Sequence, residues 1–180
     1  GTRMQELYRF DTLHAAGEMV KIRYCLIPYL YSEFLKAALR DDMMFKPLGF
    51  DFPADHMAKE TEDQLLIGDE LMIAPVYKQN ARGRYVYLPE EMMLVRMQTW
   101  DQIHTEILPK GHHYVDIALE ELVFFIRQQK AIPFGRPARN TDCIDHSALQ
   151  LLGYPGCTYE LYADNGISPE PETSLSITTL

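Results

Sequence analysis

No apolar run in this sequence is long enough to cross a bilayer. The longest uninterrupted stretches, such as Leu122–Ile126, fall far short of the ~20 residues that a spanning helix needs. Positive charge is also scarce: 17 Lys and Arg stand against 26 Asp and Glu, a formal net charge of -9. Phosphate backbones call for a basic face, so this balance argues against a nucleic-acid partner. Cysteines number three, Cys25, Cys143 and Cys157. Their odd count and wide spacing argue against a disulfide framework and suit a reducing compartment, the cytoplasm. No basic start followed by an apolar core and a cleavage site is visible, so no signal peptide is expected. Nor is there a Gly-rich phosphate loop, a nucleophile elbow, a Cys-x-x-Cys pair, an internal repeat or a low-complexity tract. What remains is 47% hydrophobic residues over 180 positions, too apolar for disorder and enough for one or two packed domains.

The first 40 residues read as helix. Asp11 is a candidate N-cap, and Met19, Ile22, Leu26, Leu30 and Phe34 recur at three- and four-residue steps as one apolar stripe. Pro28 lies inside that pattern, where it removes a hydrogen bond and is expected to bend or split the helix; Gly17 marks a second weak point. A helix with so wide an apolar stripe needs a surface to bury against.

From about residue 43 the reading turns to short strands. Phe45–Phe52 is a short aromatic stretch, Glu60–Ile67 reads as a short helix closed by Gly68, and Leu71–Tyr77 reads as a buried strand. Arg84–Leu88, Met92–Met97, His112–Ile117, Leu122–Arg127, Ala131–Phe134, Ala148–Tyr154 and Thr158–Tyr162 follow, joined by Gly, Pro and Asn turns. That spacing predicts an antiparallel sandwich or barrel. Residues 135–146 and 163–174 read as loops. A long helix, one strand, a short helix and then an all-β unit suggest the end of one domain running into another.

Among the acids, Asp51 and Asp55 flank Phe52-Pro53, with Asp63 and Asp69 nearby. Two carboxylates facing across a pocket are what glycoside hydrolysis requires. Capping and turn formation are the commoner roles of Asp in such places. His112 and His113 are adjacent and so face opposite sides of a strand. His56, His104 and His146 have no partner at metal-ligand spacing, and Asp142, Cys143, Asp145 and His146 read as a surface loop. Asp164-Asn165-Gly166 resembles part of a calcium loop but lacks the closing Glu, so a tight turn is the plainer reading. Cys25 reads as a small core residue, and Met92-Met93 as sheet packing.

Taken in order, several segments resemble glycoside hydrolase family 31, which includes α-glucosidases and α-xylosidases. Ile22-Arg23-Tyr24-Cys25-Leu26-Ile27-Pro28-Tyr29-Leu30-Tyr31-Ser32 is similar to a late barrel helix of that family. Lys46-Pro47-Leu48-Gly49-Phe50-Asp51-Phe52-Pro53 resembles its last barrel strand, usually Arg-Pro-Leu-Phe-Phe-Glu-Phe-Pro. The run from Asp63 to Val76, Arg84-Tyr85-Val86-Tyr87-Leu88-Pro89, Ala131-Ile132-Pro133 and Leu161-Tyr162-Ala163-Asp164-Asn165-Gly166 resemble successive parts of its proximal C-terminal sandwich. Lys46 stands for Arg, Asp51 for Glu, Glu90-Glu91-Met92-Met93-Leu94 for a Gly-x-Trp-Tyr-Asp stretch, and Arg127-Gln128-Gln129-Lys130 for an Arg-x-Gly turn.

The resemblance implies the last elements of a (β/α)8 barrel over residues 1–69, then an antiparallel β-sandwich over 70–180. It implies a parent that hydrolyses α-linked glucosides or xylosides with retention and without a cofactor or metal. The two reacting Asp residues of the family belong to earlier barrel strands, so no catalytic residue is assigned to this chain and none of its acids takes that role. The implied partners are an oligosaccharide in the parent and either a second copy or the rest of the barrel along Met19, Ile22, Leu26 and Leu30. Two rival readings stay open: a non-catalytic binding module using Tyr85 and Tyr87, and a small acid/base enzyme built on Asp51 and Asp55.

Overall fold

The computed structural model describes residues 12–164 and the backbone of 173–178. Helix α1 (Leu13–Arg40) runs 28 residues without a break through Gly17 and Pro28. Its N-cap position is Thr12; the expected cap, Asp11, lies outside the described residues. Pro28 has no N–H for the Tyr24 carbonyl, and in the same turn the Cys25 carbonyl accepts a bond from the Gly135 N–H at 2.9 Å. An irregular segment is thereby pinned to the helix at its weakest turn.

The buried line of α1 differs from the expected stripe. Ala15, Glu18, Ile22, Cys25, Tyr29 and Ser32 are buried, whereas Phe34 is 54% exposed and Met19, Leu26 and Leu30 only flank the core. Ile22 is therefore not part of an exposed face. Apolar residues occupy most of the circumference of α1, so spacing alone did not single out the contact side. The contact side is chosen by Tyr29, whose ring is buried while its hydroxyl donates to the Ile67 carbonyl at 2.5 Å.

Strand β1 (Phe45–Pro47) is followed by a single helical turn, α2 (Leu48–Asp51), and by α3 (His56–Glu60). Asp55 caps α3 by accepting from the Ala58 N–H at 3.2 Å. The segment expected as helix over Glu60–Ile67 is instead the strand β2 (Leu65–Ile67), which turns at Gly68 into β3 (Leu71–Ile73). Gly68 does adopt the left-handed conformation, φ 64°, in a strand turn rather than at a helix end. β3 is shorter than the expected Leu71–Tyr77.

The remaining strands are β4 (Gly83–Leu88), β5 (Met92–Thr99), β6 (Gln102–Leu108), β7 (Gly111–Asp116), β8 (Leu122–Arg127), β9 (Ala131–Phe134), β10 (Gln150–Gly153), β11 (Thr158–Ala163) and β12 (Thr173–Thr178). Every pairing among them is antiparallel. Six strands form the main sheet in the order β1-β2-β3-β8-β5-β6, and three two-stranded sheets, β4-β7, β9-β10 and β11-β12, surround it.

Alternation sorts the main sheet into two cores. Met93, Val95, Met97, Phe124 and Ile126 join Ile22, Cys25 and Tyr29 of α1. Met92, Leu94 and Phe125 point the other way and join Val86, Leu88 and Val115 of the β4–β7 pair. Strands buried on both faces read as continuous apolar runs, which is why Met92–Val95 and Leu122–Ile126 look as they do. Buried Gln64 stitches β4 to the main sheet: its amide donates to the Tyr87 carbonyl and accepts from the Tyr87 N–H, both at 2.7 Å. The result is a layered, mostly antiparallel β structure with one long helix on its outer face.

Candidate functional site

Asp51, first among the candidate acids, sits at the end of α2 between two cations. Lys46 Nζ lies 3.0 Å from one of its carboxylate oxygens, and Arg127 lies 2.5 Å from the other. Lys46 also reaches Asp69 at 2.6 Å, and Arg127 reaches Glu90 at 2.8 Å while its guanidinium lies 4.8 Å from the centre of the Phe52 ring. The Lys46 and Arg127 side chains are largely buried, so each charge needs its partners. Burial works against the Lys46 ammonium, but the bonds to Asp69 and Asp51 outweigh it and hold its pKa above the usual value. This network fastens β1 and α2 to β8 of the sheet. A carboxylate with each oxygen held by a cation has no free oxygen for attack.

Asp55 lines a groove of about 550 Å³ with Phe52, Tyr87 and Lys110, but it is equally committed. Lys110 sits 2.5 Å from its carboxylate, the Tyr87 hydroxyl donates to it at 2.7 Å, and the Ala58 N–H donates to the other oxygen. Lys110 first and Tyr87 second hold its pKa down at about 2. Asp51 and Asp55 thus do not form the acid/base pair that their spacing allowed. Asp63 pairs with Arg84, and Asp69 with Lys46.

The histidines stay apart. His112 tilts against the Tyr87 ring at 4.9 Å, His113 bonds the Pro109 carbonyl at 2.8 Å, and His56 lies 3.4 Å from Glu60 on the exposed side of α3. His104 faces Arg96 across the β5–β6 pairing. The segment from Asp142 to His146 falls in two short 3-10 turns whose N–H groups are taken by Asn140 and Asp145. Among the described residues no group of three or more His, Cys, Asp or Glu could hold a metal. Asp164 accepts from the Tyr31 hydroxyl at 2.8 Å; Asn165 and Gly166 lie outside the described residues. Cys25 is a thiol in the core and Cys143 a thiol on the surface.

Besides Glu18, sequence reasoning missed two buried acids at the junction of α1 with the β-structure. Glu33 of α1 accepts from the Tyr159 hydroxyl at 2.6 Å and pairs with Lys36 at 2.7 Å. Glu70 lies opposite, 3.5 Å from Lys130 and 3.3 Å from the Tyr29 hydroxyl. Burial, and then the neighbouring Glu33, push the Glu70 pKa up. Their helical and turn positions carried no mark of burial, because both gain partners more than 30 residues away. This polar seam joins α1 to the β-structure. Tyr87 also departs from expectation: it is buried with its hydroxyl on Asp55, and only Tyr85 is exposed.

Fold and site together define a β-sandwich module braced by ion pairs to a helical segment, with its acids employed in holding parts together. The family model for the glycosyl hydrolase family 31 C-terminal domain matches residues 41–132, just over half the chain. The chain belongs to glycoside hydrolase family 31. It is 30% identical over 173 residues to an α-glucosidase 2 of Bacillus thermoamyloliquefaciens, covering 92% of this chain and 21% of that protein. An α-xylosidase of Saccharolobus solfataricus is 27% identical over 158 residues, 85% of this chain and 21% of the relative. In fold, the chain is similar to a family 31 dextranase of Flavobacterium johnsoniae solved with glucose, at TM-score 0.74 and 22% identity over 94% of this chain and 21% of that one. The chain spans about a fifth of the length of these relatives.

Proposed function

We propose that this chain is the C-terminal portion of a retaining α-glycosidase acting on α-linked glucosides or xylosides. In this reading residues 1–69 close a (β/α)8 barrel and residues 70–180 form the sandwich that braces it. The observation that carries the reading is the Lys46–Asp51–Arg127–Glu90 network. It ties β1 and α2, where the resemblance puts the last barrel strand, to β8 and the Glu90 turn of the sandwich. Bracing of this kind keeps a barrel's reacting acids at fixed separation, and separation decides glycosidase chemistry. The chain supplies no reacting carboxylate of its own. The oligosaccharide is bound by the parent, and the outer face of α1 meets either the rest of the barrel or a second copy. The odd number of widely spaced cysteines, with Cys143 an exposed thiol, favours a reducing compartment, the cytoplasm.

The test is direct. The 180-residue chain should show no turnover of p-nitrophenyl α-glucoside or α-xyloside. Hydrolysis that persists through repurification and disappears in Asp51→Asn would overturn the reading in favour of an acid/base enzyme.

A further inference from the structure

One surface is furnished for a ligand and takes no part in the bracing just described. Tyr85 and Tyr114 face each other across the β4–β7 pairing, with ring centroids 5.2 Å apart and planes 70° apart. Tyr85 is 73% exposed and Tyr114 57%. Tyr77, 67% exposed, adds a third ring, and the three line one recess of about 310 Å³. That volume lies at the lower end of small-ligand sites.

Three large rings exposed together are costly unless something covers them. They are also held in place. Arg84 is largely buried, donates to the backbone carbonyls of Asp63 at 3.1 Å and Pro75 at 2.7 Å, and pairs with the Asp63 carboxylate at 2.5 Å. Its guanidinium lies 5.7 Å from the centre of the Tyr77 ring. The segment bearing Tyr77 is thereby fixed against β4, and the recess exists before any ligand arrives, which lowers the cost of binding.

The lining selects the ligand class. Its rings offer flat apolar faces, the Asp63 carboxylate offers an acceptor at the rim, and Lys78 offers a donor. Arg84 neutralises Asp63, so the exposed rings rather than a net negative charge dominate the lining. A neutral molecule with an apolar C–H face and a ring of hydroxyls satisfies both parts at once. We propose that this recess is a carbohydrate-binding site for α-linked glucosyl oligosaccharides, with Tyr85, Tyr114 and Tyr77 as stacking platforms and Asp63 as hydroxyl acceptor. The choice of α-linked glucose rests on the glycosidase reading; the stacking site rests on the rings alone.

The test is an NMR titration of the 180-residue chain with maltotriose, isomaltotriose and cellotriose. Saturable shifts at Tyr85 and Tyr114 are expected for at least one α-linked sugar. Tyr114→Ala should weaken binding about tenfold, equivalent to about 1.4 kcal/mol. Tyr114→Phe should bind within about threefold of the unaltered chain, because stacking needs the ring and not the hydroxyl. Both variants change an exposed side chain, and an unaltered spectrum elsewhere confirms folding. Absence of saturation at about 20 mM, well into the range of weak millimolar binding, overturns the proposal. So does binding that survives Tyr85→Ala with Tyr114→Ala, and so does binding of cellotriose alone. None of these failures touches the α-glycosidase reading, which stands or falls on the p-nitrophenyl substrates.

Discussion

At the level of single residues, Asp51 illustrates how an acid in a promising position is put to structural use. It neutralises Lys46 and Arg127 together, and both cations are buried enough to need it. Asp51→Asn removes one charge from a pair-rich network while Asp69 and Glu90 still hold the two cations. The loss should be about 1–3 kcal/mol, below the full cost of orphaning a buried ion, read as a lower urea midpoint. Asp55 makes a pH prediction. Its folded pKa of about 2 lies below its ordinary 3.8. Its contribution to stability is therefore complete above pH 3.8 and lost as pH falls through about 2. Lys110→Ala should move the Asp55 carboxyl resonance midpoint upward toward 3.8, and an unmoved midpoint would remove Lys110 as the cause. Asp as a turn former and cap was legible in the sequence, and Asp55 does cap α3. The partners were not legible, because Arg127 lies 76 positions from Asp51 and nothing local announces the contact.

Among elements, the long α1, the double-faced β5 and β8, and the separate strands β4 and β7 were legible because their periodicity is sustained. Three elements were not. β2 reads as helix in the sequence because Leu65-Leu66-Ile67 is too short to show a period. β6 carries no strand signal in the sequence because Gln102–Leu108 is an exposed edge strand with no buried face to mark it. β12 begins in a stretch that read as loop. Gly68 shows where a single position governs an element. A Cβ there would lie 2.2 Å from a Glu33 carboxylate oxygen, on a backbone at φ +64°. Glu33 has little room to give, being held by Lys36 and Tyr159. Gly68→Ala should lower stability by about 2 kcal/mol or more, from the left-handed backbone and the clash together. Gly17, in the middle of α1, has open space where a Cβ would go. Gly17→Ala should raise stability by about 0.5–1 kcal/mol. Thermal unfolding of the pair separates the two glycines; equal shifts would contradict this account.

Across the whole molecule, α1 is apolar on two sides and the described residues cover one. Val20, Tyr24, Ile27, Tyr31 and Phe34 recur at steps of four and three, so they share a face, and each is half-buried or exposed. Tyr31 and Phe34 stack on each other at 6.3 Å, with Leu13 and Leu39 also exposed on the same helix. An apolar face of this kind tends to find a partner, since patches beyond a few hundred Å² are unusual on a lone chain. In the proposed parent that partner is the remainder of the barrel; in the isolated chain a second copy offers a matching apolar face. Sedimentation velocity should therefore show association that grows with concentration. Phe34→Glu should shift the species toward monomer, because a charge placed there must be desolvated for the faces to meet. The substitution lies on the solvent side of α1, so the melting temperature should hardly change. A single monomer at every concentration, or a dimer indifferent to Phe34→Glu, would show that this face needs no covering.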